Sequence, residues 1–128
     1  MPNDRMSLWV TTQFVGFHKW SIAPDDVAYL RDRHRHVFGV RVSVDVRADD
    51  DRVIEFHMLQ GHVNKWVREY LQEGDQINGE KADVGSCEQI CKYLMYRLHK
   101  SYGENINAAI EVNEDQECGA LFSTSDVF

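Results

Sequence analysis

From Phe38 onward the even positions are apolar (Phe38, Val40, Val42, Val44, Val46), while Arg41, Asp45 and Arg47 take most of the odd ones. That period of two predicts a half-buried strand over residues 34–47. The same parity, carried backward, puts His34 and His36 on the valine face at its N-terminal end. Upstream, residues 8–19 (LWVTTQFVGFHK) are rich in β-branched and aromatic side chains and predict a first strand that ends near His18. Residues 21–33 read as a loop with a short helical turn opened by Pro24, Asp25 and Asp26. Ala48 to Asp51 is a turn signal, and residues 52–56 (RVIEF) predict a short strand returning from it.

The period then changes. Leu59, Val63, Trp66, Val67, Tyr70 and Leu71 fall on one face of a helix over about 58–73. Residues 74–85 form the longest predicted loop. Ser86 with Gln89 three residues on is a capping box, which opens a second helix whose buried stripe is Cys87, Ile90, Cys91, Leu94 and Leu98 and whose stop is Gly103. Period two returns at Ile106, Ala108, Ile110 and Val112, a turn follows near 115–117, and residues 118–122 predict a last strand. Hairpin-length links inside each strand pair imply an α+β fold: a four-stranded antiparallel sheet, ββααββ, with two helices on one face. No internal repeat or boundary interrupts it, so residues 1–128 read as a single domain.

Composition narrows the function. The 128 residues are 43% hydrophobic and 27% charged, which is globular. A net charge of -7 disfavours a nucleic-acid partner, which needs a basic footprint. The sequence shows neither a membrane span nor a secretory signal, so a cytoplasmic location without membrane partners is expected. Three cysteines without a CxxC pair form neither a disulfide framework nor a zinc knuckle.

Six histidines in so short a chain are unexplained by any of this. His34 and His36, at i and i+2 on a strand, project from one face, as two ligands of one metal must. His18 at the end of the first strand is the natural third nitrogen for an open tri-histidine site. Paired histidines at a strand end also serve as plain polar rim residues. Glu114 continues the apolar parity of Ile106 through Val112; either it needs a buried partner, or the strand ends one residue earlier and Glu114 is a solvated turn residue. On the residues alone, the second reading is the expectation.

The same residues, in the same order, resemble the 6-pyruvoyl-tetrahydropterin synthase and 6-carboxy-tetrahydropterin synthase family. FVGFHKW carries the histidine that ends the first strand, and RHRHVF carries an H-x-H at the start of the second. VIEFHMLQ resembles the step into the first helix, SCEQIC the start of the second, and EVNED the glutamate near the end of the third strand. The resemblance covers about residues 10–122. It implies a T-fold subunit with Zn2+ held by His18, His34 and His36, and with a pterin or purine-like ring held by Glu114. It implies assembly into a homo-oligomer, a trimer or a hexamer. The implied activity is that of a zinc-dependent lyase on 7,8-dihydroneopterin triphosphate, in 7-deazaguanine (queuosine, preQ0) or tetrahydropterin biosynthesis.

The departures define a divergent member. The family's cysteine, four residues before the first His of H-x-H, is Leu30 here. Cys87 and Cys91 fall on the helix stripe and Cys118 on the last strand, so none replaces it by sequence. The Asp-His pair after the first helix is missing from YLQEGD, and Arg35 stands between the two histidines. Asp32 or Asp26 is then a candidate base, and His57 or His62 a candidate second proton-transfer group, although both histidines also read as solvated helix residues. Arg31, Arg33 and Arg35 cluster beside His34, and Arg35 is the candidate contact for an anionic substituent. His99 reads as a solvated or helix-dipole residue. Two functions stay open: a zinc-dependent lyase, favoured by the retained ligands, or a non-catalytic metal- and pterin-binding member that has lost its proton-transfer residues.

Overall fold

A computed structural model of the chain describes residues 4–47, 49, 51–73 and 83–124. The elements are β1 (Met6–His18), a short 3-10 helix (Asp25–Arg31), β2 (His34–Val46), α1 (Phe56–Glu73), α2 (Cys87–Tyr102), β3 (Ala108–Glu114) and β4 (Cys118–Ser123). The strands form one antiparallel sheet in the order β1-β2-β3-β4. This is the expected α+β arrangement. Most of the predicted loop, residues 74–82, lies outside the described residues.

Even-numbered positions face the helices. Val10 pairs with Val42, which pairs with Ile110, and Val40 pairs with Val112. These side chains meet Leu59, Val63 and Trp66 of α1 and Ile90, Leu94 and Leu98 of α2 in the buried core. Polar contacts lock α1 on β1: the Thr12 hydroxyl donates to the Asn64 carboxamide, and Gln60 Nε2 donates to the Thr11 carbonyl at 2.9 Å. The capping box of α2 is formed as predicted, with the Ser86 hydroxyl accepting from the Gln89 N–H at 3.1 Å and Gln89 Oε1 accepting from the Ser86 N–H at 2.9 Å. Gly103, at φ 106°, ends that helix in backbone space that favours glycine.

One expectation fails. Residues 52–56 are not a returning strand: 51–54 are bends, and Phe56 already begins α1. Arg52 sits at φ 56°, which no extended strand allows. The Glu55 carboxylate then accepts the N–H groups of His57 at 3.0 Å and Met58 at 3.2 Å, capping the helix at the place where a strand was expected to continue.

The order of elements brings five ends together. β1 finishes, β2 starts, α2 starts, β3 finishes and β4 starts at the same end of the sheet. Residues 83–86 run along that end, with the Val84 N–H donating to the Phe17 carbonyl at 2.9 Å and the Lys19 N–H donating to Asp83 Oδ2 at 2.9 Å.

Candidate metal and ligand site

At that end the core-facing parity of the sheet continues, but the side chains become histidine and glutamate. His18 is directly opposite His34, His36 is opposite Gly16, and Phe38 is opposite Glu114. Gly16 keeps this corner open, since a Cβ there would lie 2.9 Å from Phe38 Cε2. Strand β3 includes Glu114, so its carboxylate is not a solvated turn residue; the side chain is 24% exposed.

One nitrogen of each imidazole is committed. His18 Nδ1 donates to the Gly85 carbonyl at 2.8 Å, and His34 Nδ1 donates to the Asp32 carbonyl at 2.8 Å. His36 Nδ1 donates to Asp115 Oδ2 at 2.6 Å. Carbonyl and carboxylate oxygens only accept, so Nδ1 is the donor in each ring, and in the neutral imidazole it is Nε2 that carries the lone pair. The three rings converge, with ligand atoms within 4.8 Å of one another. His34 Nε2 and His36 Nε2 are buried with no hydrogen-bond partner among the described residues. A buried lone pair without a donor is costly, and a cation between the rings removes that cost. Glu114 adds negative charge beside them, its Oε1 3.4 Å from His18 Nε2 and its Oε2 3.5 Å from His36 Nε2. The donor set therefore fits a metal ion of the imidazole-preferring kind.

A cleft of about 600 Å³ opens beside the cluster. It is lined by His18, His34, Glu114, Leu30, Lys19, Trp20 and the first turn of α2 from Ser86 to Gln89. Leu30 thus lies in the cleft at the position where the family resemblance places a cysteine. Cys87 lies on the buried stripe of α2, as expected, and also lines the cleft, with Sγ 3.9 Å from Glu114 Oε1. Burial, with Glu114 nearby, pushes its thiol up to about 12, so it is protonated at neutral pH.

The other candidates fall elsewhere. Asp32 meets His34 only through its main-chain carbonyl, and its side chain is exposed. Asp26 is exposed and does not line the cleft. His57 does not line the cleft and lies in the first turn of α1, about 24 Å along the axis from the helix's last residue. His62 shares a 2.7 Å hydrogen bond with the Tyr102 hydroxyl and stacks on Trp66. Arg35 projects from the outer face of the sheet, Arg33 stacks over Phe17, and Arg31 is paired with Asp25 and the Ala23 carbonyl. His99 lies in the last turn of α2 but is half-buried rather than solvated, with Nε2 unpartnered among the described residues. Sequence reasoning missed Lys19, Trp20, Gly85 and Asp115, all in connections whose path no periodicity reports.

No curated protein matches the chain by sequence. Among solved structures it is similar to a 6-pyruvoyl tetrahydropterin synthase of Caenorhabditis elegans, at 12% identity and a TM-score of 0.61, covering 95% of this chain and 97% of that one. That likeness establishes the T-fold. The sequence profile described as 6-pyruvoyl tetrahydropterin synthase matches residues 8–125. With nearly the whole length matched and the histidine cluster in place, the chain belongs to the 6-pyruvoyl tetrahydropterin synthase family.

Proposed function

We propose that the chain is a zinc-dependent lyase of the 6-carboxy/6-pyruvoyl-tetrahydropterin synthase type, acting on 7,8-dihydroneopterin triphosphate in 7-deazaguanine or tetrahydropterin biosynthesis. Members of this family are lyases, which supports the coarse reading. The observation that carries the finer one is the convergence of three Nδ1-anchored imidazoles, two with orphaned Nε2 atoms, beside a cleft that His18, His34 and Glu114 line. His18, His34 and His36 hold the ion. Bound there, zinc supplies Lewis acidity toward the substrate's side-chain oxygens.

The chain's own residues do the rest. Glu114 presents two acceptor oxygens to adjacent N–H donors of a pterin or purine-like ring. Lys19 lines the cleft and meets an anionic substituent; Arg35, on the other face, does not. Asp83 is spent on the Gly85 and Lys19 N–H groups, which leaves Glu88 as the cleft carboxylate outside the anchor and metal set. Glu88 is assigned to move the substrate proton in place of Asp32 and His57. Exposed Trp9, Val15 and Leu121 on the outer face, with β1 and β4 as open edges, support assembly as a homo-oligomer.

A second reading, a binder without turnover, is favoured by Leu30 in the cleft and by the protonated Cys87. Zinc-loaded protein incubated with 7,8-dihydroneopterin triphosphate and followed by mass spectrometry separates the two. Product formation is expected. Retained pterin binding without product would sink the lyase and leave the binder.

A further inference from the structure

Two of the three ring-orienting acceptors are main-chain carbonyls, of Gly85 and Asp32, whereas the third is the Asp115 carboxylate. That side chain is held hard. Its Oδ1 accepts the Val37 N–H at 2.8 Å while its own N–H donates to the Val37 carbonyl at 2.8 Å. The residue sits at φ 55°, followed by Gln116 at φ 62°, in the tight turn closed by the Glu117 N–H on the Glu114 carbonyl at 3.0 Å. A non-glycine residue in that region is uncommon and is kept where surrounding contacts over-determine it.

From this geometry we propose that Asp115 is a positioning residue for the metal: its carboxylate fixes His36 as the Nδ1–H tautomer and so aims a free Nε2 lone pair into the cluster. The inference rests on the metal reading above. The chemistry requires a carboxylate. Both oxygens face donors, the Val37 N–H and the His36 Nδ1–H, and each accepts one. An asparagine has the same shape and tolerates the same φ, but it has one acceptor and one donor group. With its oxygen on Val37, its NH2 faces His36 Nδ1 and selects the opposite tautomer, which places a proton on Nε2. A proton there blocks ligation.

The test uses the full chain, stripped of metal and titrated with Zn2+ and Co2+ against a competing chelator. Asp115→Asn is expected to lose about 10–100-fold in metal affinity and to change the Co2+ d–d spectrum. Long-range 1H–15N spectra of the metal-free protein are expected to show His36 moving from the Nδ1–H to the Nε2–H tautomer. Asp115→Gly, suited to φ 55°, imposes no wrong tautomer and is expected to lose less than the Asn variant. An Asn variant that binds as tightly as the native chain overturns the proposal. So does equal loss in both variants with the His36 tautomer unchanged, the mark of a merely structural turn. Should the Asn variant not fold, a Gly variant with native affinity overturns it. A native chain that binds neither ion overturns the metal reading, and this inference with it.

Discussion

Deleting one imidazole separates a metal site from a crowded strand end. In His34→Ala the metal-free protein loses the 2.8 Å bond to the Asp32 carbonyl, a cost of roughly 0.5–1.5 kcal/mol, together with an Nε2 that has no partner among the described residues. With an unfolding entropy near 2.1 cal/mol/K per residue, a chain of 128 residues loses about 0.27 kcal/mol per degree near its Tm. The variant's metal-free Tm should therefore fall by only about 2–6 °C. Metal separates the two proteins far more. Zinc at a hundred times its Kd adds about 2.7 kcal/mol to the native chain, a rise of about 10 °C. If losing one of three ligands weakens binding a hundredfold, the same zinc concentration sits at the variant's Kd and adds about 0.4 kcal/mol, or less than about 2 °C. Calorimetry on chelator-stripped protein with stepwise zinc reads both numbers. A native chain with no saturable rise, or a His34→Ala protein that keeps the full rise, refutes the reasoning.

The cysteines should separate by reactivity: exposed Cys118 reacts first with a thiol reagent at pH 8, while burial holds Cys87 at about 12 and Cys91 at about 11 and slows both. Fast labelling of all three would contradict their placement. The Glu55 carboxyl is held below its ordinary value of 4.5, chiefly by the His57 N–H, so its stabilisation is present above that pH and is lost as pH falls through the lower folded value. Acid unfolding curves of native and Glu55→Gln protein should accordingly converge below pH 4.5; a constant gap would argue against the cap. Leu98, fully buried between α2 and the sheet, should cost about 2–5 kcal/mol when cut to alanine, read by urea denaturation. A loss below about 1 kcal/mol would mean that α2 does not pack as described.

Where side chains must alternate or cap, the sequence is legible. The valine parity of β2 continues unbroken through His36 and His34, so two members of the cluster fall on the core face by sequence alone. Ser86 and Gln89 announce the start of α2 because a capping box is local chemistry. Residues 52–56 mislead because Val53 and Ile54 carry strand propensity, while the deciding features are the left-handed Arg52 and the Glu55 carboxylate folding back on the helix. Asp115 is invisible in the sequence for a related reason. It looks like a turn residue, which it is, and only the pairing of Phe38 with Glu114 brings that turn over His36.

The position of the site follows from the same layer geometry. Helices α1 and α2 cover the sheet's inner face along the Val10, Val40, Val42 and Ile110 rungs, where every even position is apolar and buried. Where β1 ends and β2 begins, His18 and His34 line a cleft walled by Asp83, Gly85, the first turn of α2 and Leu30 of the 3-10 helix. Polar groups there escape the full penalty of the core yet stay shielded enough for two Nε2 atoms to have no donor among the described residues. A carboxylate, Glu114, closes the third side because β3 ends on the Phe38 rung. The fold thus holds a cation-seeking cluster at a depth between core and solvent, and this holds whatever stands at position 30. Exchanging a cysteine for Leu30 removes a reactive group from the cleft wall without touching a strand register, a ring anchor or the Asp115 clamp. Under the proposed function, binding and turnover would rest on separable parts of this chain, so metal affinity and product formation must be measured separately, and loss of one would not imply loss of the other.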